Sequence, residues 1–232
     1  MKICIDAGHG GHDPGATNGN YKEKDLALEI ALDLNKTLKS SIPYIETVLT
    51  RTTDKFVLLS ERCKIANENN CDIFISIHLN SAINKQASGI ETLVYKNIGE
   101  SGKLAELVQR NLCSSLQAKN RGIEERSDLA VLNGTKMPAL LIEVGFIGNT
   151  DELGKLITEV YRHKISVEIS AAIKKYLGAE SEMSEIKDAQ TALKLLCEKK
   201  IINSPEYWDK AVDIIKHLDA LLINFANYIQ KN

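Results

Sequence analysis

The amino-acid sequence predicts an α/β fold: a twisted, mostly parallel sheet with helices on both faces, plus a small C-terminal all-α hairpin. Three observations carry this expectation. Short, β-rich apolar runs alternate with amphipathic helical stretches through residues 1–178, the pattern of a parallel sheet covered by helices. One run, Asp72–His78, is almost continuously apolar, as a strand buried on both faces is. Beyond Gly178 the strand pattern stops and two helical stretches follow a short acidic segment.

Taken in order, Lys2–Asp6 is the first strand and runs into a glycine-rich turn. Glu23–Ser40 places Leu26, Ala27, Ile30, Leu34 and Leu38 at helical spacing, and Pro43 punctuates its exit. Tyr44–Thr50 is the second strand, and Leu58–Asn69 is a helix that stops at Asn69-Asn70. After Asp72–His78, the alternating Gly89–Tyr95 is a further strand and Ser101–Leu116 a third long helix. Asn120–Asp128 is charged and reads as loop, whereas Ala130–Leu132 and Ala139–Glu143 read as short strands. Gly148–Asp151 introduces a short helix, and Tyr161–Leu177 is the last helix of this unit. Ala179–Glu185 is a linker. Glu185–Glu198 and Tyr207–Ile229 form the hairpin, with Ser204 as N-cap and Pro205 at the first helical position. The expected organisation is a domain over 1–178, a linker over 179–185 and a helical module over 186–232. That module is too small for a large core of its own, so it should pack on the first domain or pair with a second copy as a homodimer.

Composition excludes several classes of function. The 232 residues carry 44% hydrophobic and 26% charged side chains, the balance of a soluble globular chain. A net charge of -2 without a basic block argues against a nucleic-acid partner. No apolar run reaches the ~18 residues that suggest a membrane span. Cys4, Cys63, Cys71, Cys113 and Cys197 are dispersed, which suits buried thiols in a reducing compartment rather than a disulfide frame. A strand starting at Lys2 leaves no room for a signal peptide. Synthesis in the cytoplasm is therefore expected, and a substrate outside the membrane would demand another exit route.

Three strands run out into residues that metal chemistry uses. The first leads to His9 among Gly8, Gly10 and Gly11, another ends in His78, and a third ends in Glu143. In open α/β sheets, ligands sit outside the carboxyl ends of the strands. A lone loop histidine or buried histidine means little, but two at one sheet edge suggest a zinc site. Hydrolytic zinc sites commonly take three protein ligands and leave a fourth position for water. Glu23 and Asp25, at the start of the first helix, are equal candidates for the third ligand on spacing alone. Either also serves as an acidic residue stabilising a helix N-terminus.

Four stretches then match a known pattern: Ile5–Ala16 (IDAGHGGHDPGA), Glu23–Asp25 (EKD), Ser76–Ser81 (SIHLNS) and Leu141–Asn149 (LIEVGFIGN). Leu49–Arg51 with Asp54, and Glu61-Arg62 with Ala66-Asn67, follow it as well. Over residues 1–178 the chain resembles the zinc-dependent N-acetylmuramoyl-L-alanine amidases of the amidase-3 type, which include bacterial autolysins, sporulation hydrolases and phage endolysins. The resemblance implies that His9, Glu23 and His78 bind one Zn2+ and that Glu143 is catalytic, so it selects Glu23 over Asp25. It implies hydrolysis of the amide between N-acetylmuramic acid and L-alanine in peptidoglycan, leading to wall lysis. Ala7 stands where the family often has proline, which leaves the metal site intact.

Other residues have more than one expected role. Asn80, two positions past His78 in extended chain, faces the same side and contacts substrate or orients a ligand. Arg51 and Arg62 bind acidic groups of the peptide stem, or pair with Asp54 or Glu61. Glu143 itself has an ion pair with one of these arginines as its structural alternative. Trp208 either stacks on wall sugars or anchors the hairpin's own core. The stretch Ile202–Trp208 looks like a short helical segment appended to cell-wall hydrolases of clostridia-like bacteria. The rival functions are a non-catalytic peptidoglycan-binding protein and a zinc carboxypeptidase, although no HExxH signature is present. Without a signal peptide, a wall enzyme is expected to act after release by lysis or through holin lesions, as an endolysin. A sporulation hydrolase freed with the mother cell is the alternative.

Overall fold

The computed structural model describes residues 1–42, 44–178, 188–199, 201–202, 208 and 218–231. Two compact units divide the chain, Met1–Ala179 and Glu180–Asn232.

The first unit runs β1 (Lys2–Ala7), β2 (Thr17–Asn18), β3 (Tyr21–Lys22), α1 (Glu23–Ser41), β4 (Glu46–Leu49), α2 (Leu59–Glu68), β5 (Ile73–Asn80) and β6 (Ile90–Val94). It continues through α3 (Gly99–Leu116), β7 (Asn120–Glu125), α4 (Ala130–Asn133), β8 (Ala139–Phe146), α5 (Thr150–Leu156) and α6 (Glu159–Tyr176). Six strands form one sheet in the order β4-β1-β5-β8-β6-β7. The first four are mutually parallel; β6 runs antiparallel to β8, and β7 is parallel to β6. β2 and β3 make a separate small ribbon.

Apolar residues on both faces of the central strands explain the layering. Ile3, Ile5, Ile75, Ile77, Leu140 and Ile142 face α1, α3 and α6, forming the larger core. Cys4, Phe74, Leu93 and Leu141 face the opposite side, where Cys63 and Ala66 of α2 meet Val131 and Leu132 of α4. Strand β5 is buried along almost its whole length, as its composition requires. All five cysteines are free thiols, and only Cys197 is less than buried.

Two expectations are corrected. Residues Asn120–Glu125 form strand β7, not loop. It is an edge strand pairing only with β6, so its side chains need no apolar alternation, and its charges blunt an open edge. Ala130–Asn133 is a helical turn, not a strand: Asn133 N–H donates to Leu129 O at 3.0 Å and Gly134 N–H to Ala130 O at 2.8 Å. Three apolar residues are too few to display a period, and packing against α2 decides their conformation.

In the second unit, α7 (Ala189–Glu198) starts later than the expected Glu185, because the Asp188 carboxylate caps it by accepting from Thr191 N–H at 2.7 Å. Helix α8 spans Leu218–Lys231. Ala192, Leu193, Leu196, Leu218, Leu222 and Ala226 form their shared core, and Trp208 packs against it. That contact matches the core-anchoring role considered for Trp208. The proposed linker, the Ser204-Pro205 helix start, and Pro43 lie outside the described residues, as does most of the stretch before Leu218. Among the described residues, no helix is long and apolar enough to cross a membrane.

Candidate active site

The turn after β1 is shaped by close approach. Gly8 N–H donates to Ile77 O at 3.0 Å, and a Cβ on Gly8 would overlap the His78 ring. His9 itself adopts a left-handed φ of 59°, a conformation uncommon for a residue other than glycine. Gly15 shares that region (φ 64°), and a Cβ there would sit 2.6 Å from both Glu23 Oε2 and His9 Cδ2.

Two buried arginines hold this turn. Arg51 donates to the carbonyls of Ala7 (2.9 Å), Gly8 (2.8 Å) and Lys24 (2.7 Å). Arg62 donates to Ala7 O at 2.6 Å, His9 O at 2.7 Å and Asp6 Oδ1 at 2.7 Å. Asp6 also accepts from Thr50 Oγ1 and Ser76 Oγ, both at 2.6 Å. Each arginine is 2% exposed. The expectation that Arg51 and Arg62 bind acidic stem groups is corrected, because their donors are engaged by backbone and Asp6 beneath the site. Nor do they pair with Asp54 or Glu61: Asp54 pairs with Lys24, and Arg62 with Asp6. Removing one member of a buried, fully bonded ion pair leaves the other charge uncompensated. Arg62→Met is therefore expected to lower unfolding free energy by about 3–5 kcal/mol. Urea denaturation reads this, and a loss below ~1 kcal/mol would mean the pair behaves like a surface one.

Above the turn, three donors converge. Glu23 opens α1 and is 4% exposed; its Oε1 lies 3.1 Å from His9 Nε2 and 2.9 Å from His78 Nδ1. Oε1 also accepts from Leu79 N–H at 3.0 Å, and Oε2 from Ala16 N–H at 2.9 Å. The other nitrogen of His9, Nδ1, lies 2.8 Å from Asp13 Oδ2, an arrangement that orients a ligating imidazole. All three donor atoms lie within 4.8 Å of one another. A tetrahedral zinc with bonds of about 2.0–2.1 Å separates its ligands by about 3.3 Å. Two imidazoles and a carboxylate at this spacing fit such an ion. Asp25, the other candidate on spacing, is not in the cluster.

The protonation of the cluster follows its contacts. Burial alone lowers the His9 pKa, but hydrogen bonds to Glu23 and Asp13 outweigh it and raise the value to about 9. His78 moves in the same direction, its burial likewise outweighed by Glu23. Burial pushes Glu23 up, yet the two imidazoles hold it well below the usual carboxylate range.

Glu143 lies beside this cluster in a different environment. It is the register partner of His78 on β5 and of Glu91 on β6. Its Oε2 is buried without a hydrogen-bond partner, so the ion pair with Arg51 or Arg62 does not form. Burial first, with Glu23 and Glu91 adding repulsion against the attraction of His78, raises its pKa to about 7. A buried carboxyl oxygen without a hydrogen-bond partner costs stability and is uncommon in folded proteins. Next to the cluster opens a cleft of about 330 Å3 lined by His9, Asp13, Phe56, His78, Leu129 and Val131. The helical turn α4 forms one apolar wall. Asn80 donates from Nδ2 to Glu91 Oε2 at 3.4 Å, and its Oδ1 accepts from Ser81 N–H at 2.8 Å. Asp13 and Glu91 escaped the sequence reading; a carboxylate four residues beyond a ligand histidine was the available signal for Asp13.

Comparison with known proteins agrees with this geometry. Residues 3–175 match the family model Amidase_3, N-acetylmuramoyl-L-alanine amidase. The chain is 36% identical to the sporulation-specific N-acetylmuramoyl-L-alanine amidase of Bacillus subtilis over 162 residues, covering 69% of this chain and 62% of that protein. It is 34% identical to the endolysin of Bacillus phage SPP1, covering 71% of this chain and 61% of that protein. The chain thus spans less than two-thirds of the length of these two relatives. Among solved structures, an N-acetylmuramoyl-L-alanine amidase from Clostridium difficile 630 superposes with a TM-score of 0.73 at 37% identity, covering 78% of this chain and 98% of that one. With a family model matched over residues 3–175 and a solved amidase superposing along most of the same stretch, the chain belongs to the amidase-3 family of N-acetylmuramoyl-L-alanine amidases.

Proposed function

We propose that this protein is a zinc-dependent amidase that hydrolyses the bond between the lactyl carbonyl of N-acetylmuramic acid and L-alanine in peptidoglycan, leading to wall lysis. The observation that carries this reading is the His9–Glu23–His78 cluster with the unpartnered Glu143 carboxyl beside it. His9, Glu23 and His78 would hold the ion, with Asp13 fixing the His9 ring and the Leu79 and Ala16 amides fixing Glu23. Bound zinc supplies Lewis acidity toward the scissile carbonyl and a water of lowered pKa. Glu143 takes a proton from the attacking water as the C–O bond forms. It returns that proton to the alanine nitrogen as the C–N bond breaks, releasing the lactyl carboxylic acid and the amine, which then ionise to carboxylate and ammonium. In the metal-free protein burial raises this carboxyl above the ordinary glutamate range, toward a basicity that suits both accepting and returning a proton.

Digestion of purified muropeptides tests the reading. New free N-terminal L-alanine supports it; a released terminal D-amino acid indicates the carboxypeptidase, and wall retention without cleavage the non-catalytic binder. Metal loading should depend on pH. Both imidazoles hold protons above the ordinary histidine pKa in the metal-free protein, and ligation must expel them. Apparent zinc affinity is therefore expected to rise between pH 6 and 8, by roughly tenfold per pH unit for each proton released. Calorimetry in buffers of differing ionisation enthalpy counts those protons; an affinity flat across this range would contradict the assigned ligands.

The proposed setting is an endolysin released through phage-driven lysis, with a sporulation hydrolase as the alternative; sequencing the flanking genes tests this, and a holin gene found there would favour the first. Pairing of two chains through α7 and α8 is a further proposal that light scattering of the full chain reads. Retention of the full chain on purified walls, compared with a Trp208→Ala variant, tests the wall-binding role of the helical module.

A further inference from the structure

The order of side chains along the sheet edge is His78 on β5, Glu143 on β8, Glu91 on β6 and then Arg121 on β7. Arg121 is held from three directions. Its stem lies against Gly89, where a Cβ would come within 3.0 Å of Arg121 Cγ. Its guanidinium carbon stands 5.0 Å from the centroid of the Phe146 ring, within cation–π range. Its Nε faces Glu91 Oε1 at 3.8 Å, too long for a hydrogen bond. Glu91 is in turn held by Asn80 Nδ2. None of these contacts uses the two terminal nitrogens, and the Arg121 side chain remains 31% exposed. The other nearby arginines are committed: Arg51 and Arg62 are buried under the turn, and Arg126 grips Asp128 with two bonds of 2.8 Å.

We propose that Arg121 is a specificity residue that binds a free carboxylate of the stem peptide on the leaving-amine side of the scissile bond, an assignment that rests on the amidase reading above. Glu143 returns its proton to the departing alanine nitrogen, so the stem must leave the reacting centre past Glu143, toward β6 and β7. Neighbouring strands lie about 4.8 Å apart and an extended peptide advances about 3.3–3.6 Å per residue. Arg121 lies two such spacings from β8, but its guanidinium reaches back over Phe146 of β8, which brings its free edge toward the residue after L-alanine. In peptidoglycan that residue is a γ-linked D-glutamate, whose α-carboxyl is either free or carried as the carboxamide. The Nη1/Nη2 edge of a guanidinium matches a carboxylate with two parallel hydrogen bonds, while Phe146 and Glu91 hold the opposite side of the group. A carboxamide has one acceptor and no charge, so it forfeits most of this contact.

The test compares kcat/KM on two synthetic muramoyl peptides that differ only in a free carboxyl or a carboxamide at the second stem position. Wild-type enzyme is expected to favour the free acid by about ten- to hundred-fold, chiefly through KM. Arg121→Met should bring the ratio close to unity, and Arg121→Lys should keep an intermediate preference, with melting curves confirming folding. Absence of a wild-type preference, or its survival in Arg121→Met, overturns the assignment while leaving the amidase reading standing. No cleavage of either peptide instead sinks the amidase reading.

Discussion

Glu143→Gln is expected to lower peptidoglycan turnover by about 10²–10⁴-fold while metal content stays at one ion per chain. Glutamine keeps the volume and shape of the side chain within its buried strand position, so packing against β5 and β6 is preserved. It removes the one chemical property the proposed mechanism uses, a carboxylate that accepts a proton and gives it back. The buried Oε2 has no partner, so no structural bond is broken by the change. Substrate binding should change little, placing the loss in kcat. Turnover within a few-fold of wild type would end the assignment of Glu143 as the base.

His78→Ala is expected to reduce activity on the order of 10³-fold or more, and unlike Glu143→Gln it should also lose the metal. Its Nδ1 is 2.9 Å from Glu23 Oε1, so the variant keeps only two of three donors. His9→Ala should behave alike, and would leave Asp13 facing the space vacated by the ring. A second readout separates metal loss from unfolding. Excess zinc at about 1,000 times its Kd stabilises a binding-competent fold by about 4 kcal/mol. The wild-type melting transition should rise on adding zinc and fall with a chelator; in His78→Ala it should ignore both. Zinc retained at full stoichiometry in both histidine variants would place the metal elsewhere.

Much of the catalytic unit was readable because its residues obey local rules. β5 is mostly apolar and therefore buried on both faces; the expected strand end at His78 falls two residues short of the observed end at Asn80, yet His78 still stands near the strand's carboxyl end. The spacing of Leu26, Ala27, Ile30, Leu34 and Leu38 defines the buried face of α1 and brings Glu23 to its first turn. Where local pattern was weak, reading failed. β7 has an edge strand's exposed charges and looked like loop, and α4 was too short to show a helical period. The missed strand is the one that carries Arg121 to the site, so an error in one edge element concealed a candidate substrate contact.

The sequence by itself determined the long helices and the central strands, the glycine turn around His9, and the residue types that a hydrolytic zinc site requires. Tertiary structure alone decided what surrounds each charged group. Arg51 and Arg62 resemble substrate-binding cations in sequence, yet backbone carbonyls and Asp6 take up their donors beneath the turn. Glu143 and Glu23 are chemically the same side chain. One is surrounded by donors and held ionised; the other is buried without a partner and pushed toward neutrality. That difference arises from desolvation and contacts between strands and helices distant in the chain, and short-range sequence pattern does not encode either.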